Sequence, residues 1–150
     1  MTNHLAIKFS KRLPLYEVVI EVLLKCSITS ANLIAKSPFL AIRIDAPEKA
    51  QAYGEVARKY LATMVAGKFV KVEWAKKDKY GRILGEVFVG EVNVNLRMVQ
   101  GGMAWHFKRF DNTPIYAQAE NEARAKKVGL WVDPNPIPPW EFRKAKKVGK

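Results

Sequence analysis

The sequence predicts an α+β fold in a single domain, and three observations lead to that prediction. A chain of 150 residues has the usual length of one domain and can bury a core. Hydrophobic residues make up 49% and charged residues 27%, which is ordinary for a globular protein. Short strand-like segments come first and helical segments are interspersed later, a pattern typical of α+β domains. The pattern leaves open whether the strands form a barrel or a sandwich.

Two strands and a helix are predicted in the first part of the chain. Residues 15–23 are rich in β-branched side chains and predict a strand, as do residues 39–44. Residues 51–65 predict a helix, and Gly67 follows as its terminator. One face of this helix carries Ala52, Val56, Tyr60 and Thr63.

The middle of the chain predicts a hairpin followed by a short helix. Residues 69–74 alternate in polarity and predict one strand, and residues 82–89 predict its returning partner. The polar residues 76–81 between them predict the hairpin loop. Residues 94–100 predict a helix that is closed by the glycine pair 101–102.

The C-terminal part predicts a short strand, a helix and a tail. Residues 104–107 favour the strand, and the Ala-rich residues 116–127 favour a helix that ends before Gly129. Residues 133–140 hold four prolines and predict an extended surface segment. Residues 143–150 carry five positive charges and no acidic residue, and predict a frayed end.

The charge favours a polyanionic partner. Lys and Arg outnumber Asp and Glu by 26 to 14, which gives a net charge of +12 that is spread along the chain. The alternative is that the charge serves solubility alone. We expect no membrane partner, because no apolar run approaches the ~20 residues of a membrane helix. Glu17 and Glu21 interrupt the apolar stretch 13–24, so a signal peptide is not expected either.

Two carboxylates lie three residues apart across a proline turn. Ala46 and Pro47 separate Asp45 from Glu48, so both side chains can point into one cleft. One could hold a Ca²⁺ ion while the other orients or deprotonates a water molecule. The alternative is that Asp45 caps the following helix and Glu48 lies in its first turn, where the helix dipole favours both.

A second polar segment, residues 78–82, ends in an arginine that follows a glycine turn. Arg82 can present a planar fork of donors to a phosphate group. Lys79 and Tyr80 can line the same pocket with a point charge, a hydroxyl group and an aromatic face. The alternative for all three is a solvated hairpin loop.

These two segments, in this order, resemble the thermonuclease (staphylococcal nuclease-like) family. The resemblance extends over about residues 42–143 and includes four further segments, residues 102–105, 120–127, 129–131 and 138–140. It implies a five-stranded OB-type β-barrel with three helices, formed by residues 15–133. Residues 1–14 are then an N-terminal extension, and residues 134–150 a Pro-rich, basic tail.

The resemblance also implies a function. Asp45 would hold Ca²⁺, Glu48 would act as general base or orient the attacking water, and Arg82 would stabilise the equatorial oxygens of the phosphoryl group. Lys79 and Tyr80 would contact the terminal phosphate of a bound nucleotide. The expected partners are single-stranded or denatured DNA and RNA, and the protein is expected to be a monomer. Members of the family are often secreted or periplasmic, and the sequence itself does not indicate a compartment.

Half of the family's site is not visible in the sequence. A second calcium-binding carboxylate is expected where Ser27 stands, and a second phosphate-clamping arginine where Leu40 stands. Arg43 lies three residues after Leu40 and would point to the opposite face of a regular strand. Residues 22–44 contain no Asp, Glu or Gly, which is consistent with either divergence or a compensated frameshift.

Three functions therefore remain open. A divalent-cation-dependent phosphodiesterase is the leading interpretation, because Asp45, Glu48 and Arg82 are all present. A non-catalytic OB-type module that binds nucleic acid is the alternative, favoured by Ser27 and Leu40. A protein-interaction domain with incidental charge is the third.

Several aromatic residues and histidines are assigned to structure rather than to chemistry. His4 and His106 are far apart and have no further ligand at zinc spacing. Trp105 is expected in the core, although together with Lys108 and Arg109 it could also stack bases. Trp131 is expected to return to the core, and Trp140 to pin the tail.

We predict that a chain ending at residue 128 will not fold, because it lacks both Trp131 and Trp140. The measurement is far-UV circular dichroism with thermal unfolding. A native-like spectrum and a cooperative transition in the shortened chain would contradict the prediction.

Overall fold

A computed structural model describes residues 3–8, 39–41, 43–77, 83–109 and 112–148. The strand predicted over residues 15–23 lies outside this part of the chain. In the described residues the strands are β1 (Asn3–Lys8), β2 (Phe39–Ala41), β3 (Ile44–Asp45), β4 (Phe69–Lys77), β5 (Ile83–Val89), β6 (Val92–Asn93) and β7 (Trp105–His106). The helices are α1 (Gly54–Val65), α2 (Val94–Gln100), α3 (Pro114–Ala125), a 3₁₀ helix (Gly129–Val132) and α4 (Pro139–Val148).

The larger sheet contains five strands in the order β1-β4-β5-β2, with β6 paired to β5. The predicted hairpin is confirmed, since β4 and β5 are antiparallel, with a bulge between Trp74 and Lys76. β2 runs parallel to β5. β1 is antiparallel to β4. Residues of the predicted N-terminal extension are therefore part of this sheet. A separate two-stranded sheet is formed by β3 and β7.

The described residues fall into two compact units, which are discontinuous in sequence. The first contains the five-stranded sheet. Its core is formed by alternate residues of the strands, whose side chains point inward, together with residues of α1 and α2. Its buried side chains are Leu61, Val65, Val70, Val72, Val87, Val94 and Asn95. Asn95 serves the backbone of β5: its Oδ1 accepts a hydrogen bond from the Val87 amide (3.2 Å), and its Nδ2 donates to the Gly85 carbonyl (3.5 Å).

The second unit is built around a cluster of tryptophans. Trp105 and Trp131 meet edge to face with their ring centroids 4.4 Å apart, and both are buried with Ala123 and Leu130. Trp140 of α4 lies 5.6 Å from Trp105, also edge to face. The predicted core roles of Trp105 and Trp131 are confirmed.

Two glycines allow α2 to end against the segment that follows α3. Gly102 and Gly129 have φ angles of +65° and +57°, which L side chains adopt at a cost. The Gly102 carbonyl accepts a hydrogen bond from the Leu130 amide (2.9 Å). A Cβ atom on Gly102 would lie 2.2 Å from the Val128 carbonyl oxygen, so a side chain at this position cannot be accommodated without a backbone shift.

Three expectations need correction. The C-terminal tail is not frayed over residues 143–148, since these belong to α4, which begins at Pro139 as helices often do. With α4, the described residues contain four α-helices rather than three, and they form two sheets and no closed barrel. The buried face of α1 carries Ala57, Leu61 and Val65 instead of Val56 and its neighbours.

None of the helices in the described part of the chain is both long enough and apolar enough to span a bilayer.

We predict that Gly102→Ala destabilises the fold by about 2–5 kcal/mol, the sum of a left-handed conformation and a steric conflict with the Val128 carbonyl. Gly90→Ala is the matched control, because Gly90 has a similar φ of +57° but no atom within 4 Å of the position that an added methyl group would take. It should cost only about 1–2 kcal/mol. Urea unfolding measures both, and equal losses would contradict the steric argument.

Candidate active site

Asp45 is placed by the short antiparallel pair of β3 and β7. In this pair Ile44 lies opposite His106, and Asp45 lies opposite Trp105. The Asp45 residue is only 9% exposed. A carboxylate at such a position is taken out of water and needs a charged or hydrogen-bonding partner.

Arg43 breaks the strand predicted over residues 39–44. It has a φ of +70°, and the chain forms two short strands, β2 and β3, instead of one continuous strand. Its Nη1 donates a hydrogen bond of 2.5 Å to the Thr113 hydroxyl, and its guanidinium lies 5.9 Å from the Tyr116 ring centroid. Arg43 therefore orients towards the start of α3.

Glu48 lies in the turn between β3 and α1. Its amide donates to the Gln51 side-chain oxygen (3.1 Å), and its carbonyl accepts from the Gln51 amide (2.8 Å). The side-chain Nε2 of Gln51 also donates a hydrogen bond to the backbone carbonyl of Ile137. This bond connects the turn to the Pro-rich segment. α1 begins only at Gly54, so the alternative that Asp45 caps this helix and Glu48 lies in its first turn is wrong.

Both carboxylates are bound by one guanidinium, that of Arg143 in α4. Its Nη2 donates to Asp45 Oδ2 (2.6 Å) and its Nη1 to Asp45 Oδ1 (3.2 Å), a bidentate arrangement. Nη1 also donates to Glu48 Oε1 at 2.8 Å. The side chains of Asp45, Glu48 and Arg143 are 10%, 26% and 39% exposed, so the cluster opens to solvent on the side of Glu48 and Arg143.

The electrostatics follow from this partial burial. Burial raises the pKa of the Asp45 carboxyl above its ordinary range, the hydrogen bonds and charge of Arg143 offset part of that rise, and the charge of Glu48 adds to it. The hydrogen bonds to Asp45, and to a smaller extent those to Glu48, raise the pKa of the Arg143 guanidinium. With all three groups ionised, the cluster carries one net negative charge.

The donor chemistry of Asp45 and Glu48 suits a hard divalent cation such as Ca²⁺, which prefers carboxylate oxygens. Within the described ranges no group of three or more His, Cys, Asp or Glu side chains could hold a metal ion. Three of the four oxygens of this carboxylate pair accept hydrogen bonds from Arg143. The pair therefore fits a cation in the type of its ligands, and Arg143 occupies the oxygens that a cation would use.

A cleft of about 370 Å³ in the same unit is lined by Trp105, His106, Phe107, Lys108, Arg109, Glu120, Arg124 and Trp140. Arg124 lies over the Trp131 ring at 3.7 Å and pairs with the buried Glu120 at 2.6 Å. Lys108 pairs with the other oxygen of Glu120 at 3.2 Å. Glu120 and Arg124, which line the cleft, are thus engaged in contacts within the protein. Lys108 and Arg109 are exposed at its rim.

Within the described part of the chain, no other predicted site residue joins Asp45 and Glu48. Lys79, Tyr80, Arg82 and Ser27 lie outside the described residues. Leu40 lies in β2, in register with Leu84 of β5. Arg143 was missed by the sequence prediction, which assigned it to a frayed tail. Pro139 at the start of α4, followed by a run with helical amphipathicity, is the signal that could have revealed the helix.

One family model matches the chain, and several similar proteins have nuclease names. Residues 39–133 match the family model described as staphylococcal nuclease homologue. Proteins named uncharacterized endonuclease are similar to the chain: one from Haemophilus influenzae is 46% identical over 105 residues, and one from Escherichia coli is 44% identical over 106 residues. A protein of Arabidopsis thaliana named staphylococcal-like nuclease is 43% identical over 106 residues.

These matches cover 70%, 70% and 71% of this chain. They cover 59%, 69% and 33% of the Haemophilus, Escherichia and Arabidopsis proteins, respectively. The chain thus spans about three fifths of the length of the Haemophilus relative and one third of that of the plant relative.

We predict that Arg143→Gln raises the pKa of Asp45 further, because burial is then no longer offset. A carboxyl with a raised pKa in the folded state contributes most to stability at low pH, and this contribution is lost as the pH rises through the folded pKa. The substitution should therefore lower the free energy of unfolding by about 1–3 kcal/mol near neutral pH. This loss is smaller than that from breaking a fully buried ion pair, because Arg143 is 39% exposed. Near pH 4 the loss should be clearly smaller than at neutral pH.

The measurements are an NMR titration of the Asp45 carboxyl carbon and urea unfolding at the two pH values. Lys144→Gln is the control, since Lys144 is an exposed neighbour on the same helix. An Asp45 pKa that is unchanged or lower in Arg143→Gln would contradict the prediction.

Proposed function

The chain belongs to the family of staphylococcal nuclease homologues, and on this premise we propose that it hydrolyses phosphodiester bonds in single-stranded or denatured DNA and RNA. The observation that carries the proposal is the convergence of Asp45 and Glu48 within the family-matched residues. Because both carboxylates lie within reach of one guanidinium, they are close enough for one to bind a cation while the other activates a water molecule.

Glu48 is proposed as the general base. Its side chain is 26% exposed, so a water molecule can approach it. It is also held by a turn whose backbone is fixed by Gln51. A base in such a position can remove a proton from the attacking water when it lies within hydrogen-bonding reach.

Asp45 is proposed as a ligand of Ca²⁺. When bound, the ion would polarise the phosphodiester and neutralise charge that develops on it. The carboxylate of Asp45 supplies fewer than the six to eight oxygens that Ca²⁺ usually takes. Water or substrate oxygens would therefore complete the coordination.

Arg82, Lys79 and Tyr80 are proposed as the substrate-binding residues, on the ground of family resemblance alone. Arg82 would stabilise the equatorial oxygens of the phosphoryl group through a bidentate contact. Lys79 and Tyr80 would hold a terminal phosphate. The net charge of +12 would attract the polyanion from a distance.

We also propose that the complete fold of this family member is an OB-type barrel, and that the protein acts as a monomer. The hairpin β4–β5 and the strands paired with it in the five-stranded sheet would form one side of such a barrel. Barrels of this type commonly bind nucleic acid on one face and its loops.

We predict that the protein cleaves denatured DNA and RNA in the presence of Ca²⁺ and that a chelator stops the cleavage. Glu48→Gln should lower the rate by roughly 10²–10⁴-fold, the usual contribution of a general base. Gel electrophoresis of labelled strands measures the rate, and circular dichroism verifies that the variant is folded.

Glu122→Gln is the matched control, since it removes an exposed carboxylate from α3. Salt-sensitive binding without cleavage by the unmodified protein would contradict hydrolysis and favour a binding module. Failure to bind either nucleic acid would contradict both functions.

A further inference from the structure

Arg143 contacts the two carboxylates through several hydrogen bonds, whereas a surface ion pair can form through a single one. A guanidinium has five N–H donors. Three hydrogen bonds from Arg143 end on Asp45 and Glu48, at 2.6, 2.8 and 3.2 Å. Both oxygens of Asp45 are included. Arg143 therefore stands in the position of a cation shared by two ligands.

The position of Arg143 is secured by the first turn of α4. Pro139 is buried, Trp140 packs against Trp105, and the ring of Trp140 is stacked on Phe107 at 5.3 Å. The amides of Glu141 and Phe142 both donate to the Pro138 carbonyl at 3.1 Å. The backbone that carries Arg143 is thus anchored, while its long side chain is 39% exposed.

A divalent cation and Arg143 cannot both occupy this pair at full strength. They need the same carboxylate oxygens, and two positive charges only a few ångströms apart repel each other, the more so at a partly buried site. Arg143 also lies beyond residues 39–133, the part of the chain that matches the family model. The match to that model therefore does not imply the ion pair.

We propose that Arg143 is a tethered cation that competes with the divalent metal for Asp45 and Glu48, so that α4 controls metal loading of the site. The proposal rests on the proposed function, because it takes Asp45 as the cation ligand, with Glu48 beside it. Metal binds when the Arg143 side chain has left the carboxylates. The apparent affinity of the site for the metal is therefore the intrinsic affinity multiplied by the fraction of molecules in which the ion pair is open.

The test is isothermal titration of the full chain with CaCl₂ at constant ionic strength, without nucleic acid. Arg143→Gln removes the competing charge and should bind Ca²⁺ roughly tenfold more tightly or better, as expected if the ion pair is closed in about nine molecules of ten. Arg143→Lys keeps the charge but loses the bidentate contact, so its affinity for Ca²⁺ should rise only about threefold. On a logarithmic scale this is half of the increase expected for Arg143→Gln.

Lys144→Gln is the control for the loss of one positive charge. Lys144 is exposed on the same helix, so its removal should change the affinity by less than about twofold through long-range charge alone. Asp45→Asn in the Arg143→Gln background should abolish the tight binding. Circular dichroism verifies folding, and if Arg143→Gln is unfolded, the Arg143→Lys variant decides.

The outcomes separate this inference from the proposed function. If the unmodified protein binds Ca²⁺ through Asp45 and folded Arg143 variants bind it equally or more weakly, the competition is overturned and the proposed cation site stands. If none of the variants binds Ca²⁺, the cation site is overturned together with the competition. A tighter binding in both Arg143 variants, absent in Lys144→Gln, supports the inference.

Discussion

The antiparallel pairing of β3 with β7 is the constraint on which the candidate site depends. It sets Asp45 opposite Trp105, and Trp105 is in turn packed against Trp131 and Trp140. One short strand pair thus links the least exposed carboxylate of the site to the aromatic cluster. Because the same cluster anchors the first turn of α4, it also determines where Arg143 can reach.

The burial of Asp45 imposes a second constraint, which is electrical. A carboxylate that is largely removed from water requires a compensating charge, and an uncompensated one costs several kcal/mol. Arg143 meets this requirement in the described structure through three hydrogen bonds to Asp45 and Glu48. The burial of Asp45 therefore sets the need for a positive charge at this position.

The two compact units serve different physical purposes. The first is a conventional sheet core, in which Asn95 satisfies the backbone of β5 from within. The second concentrates aromatic rings, a buried Glu120 that is paired with two basic residues, and the Asp45–Glu48–Arg143 cluster. In the described residues the buried charge thus belongs to the unit that holds the candidate site.

Local sequence patterns were sufficient for much of this protein. They identified α2, the β4–β5 hairpin, the glycines that close α2 and follow α3, the family, and the pair Asp45 and Glu48, because each depends on residues near one another in the chain. Only the tertiary structure decided which face of α1 is buried, that the tail forms α4, and that Arg143 binds both carboxylates. Arg143 is 98 residues from Asp45, and contacts at that separation leave no local periodicity or spacing in the sequence.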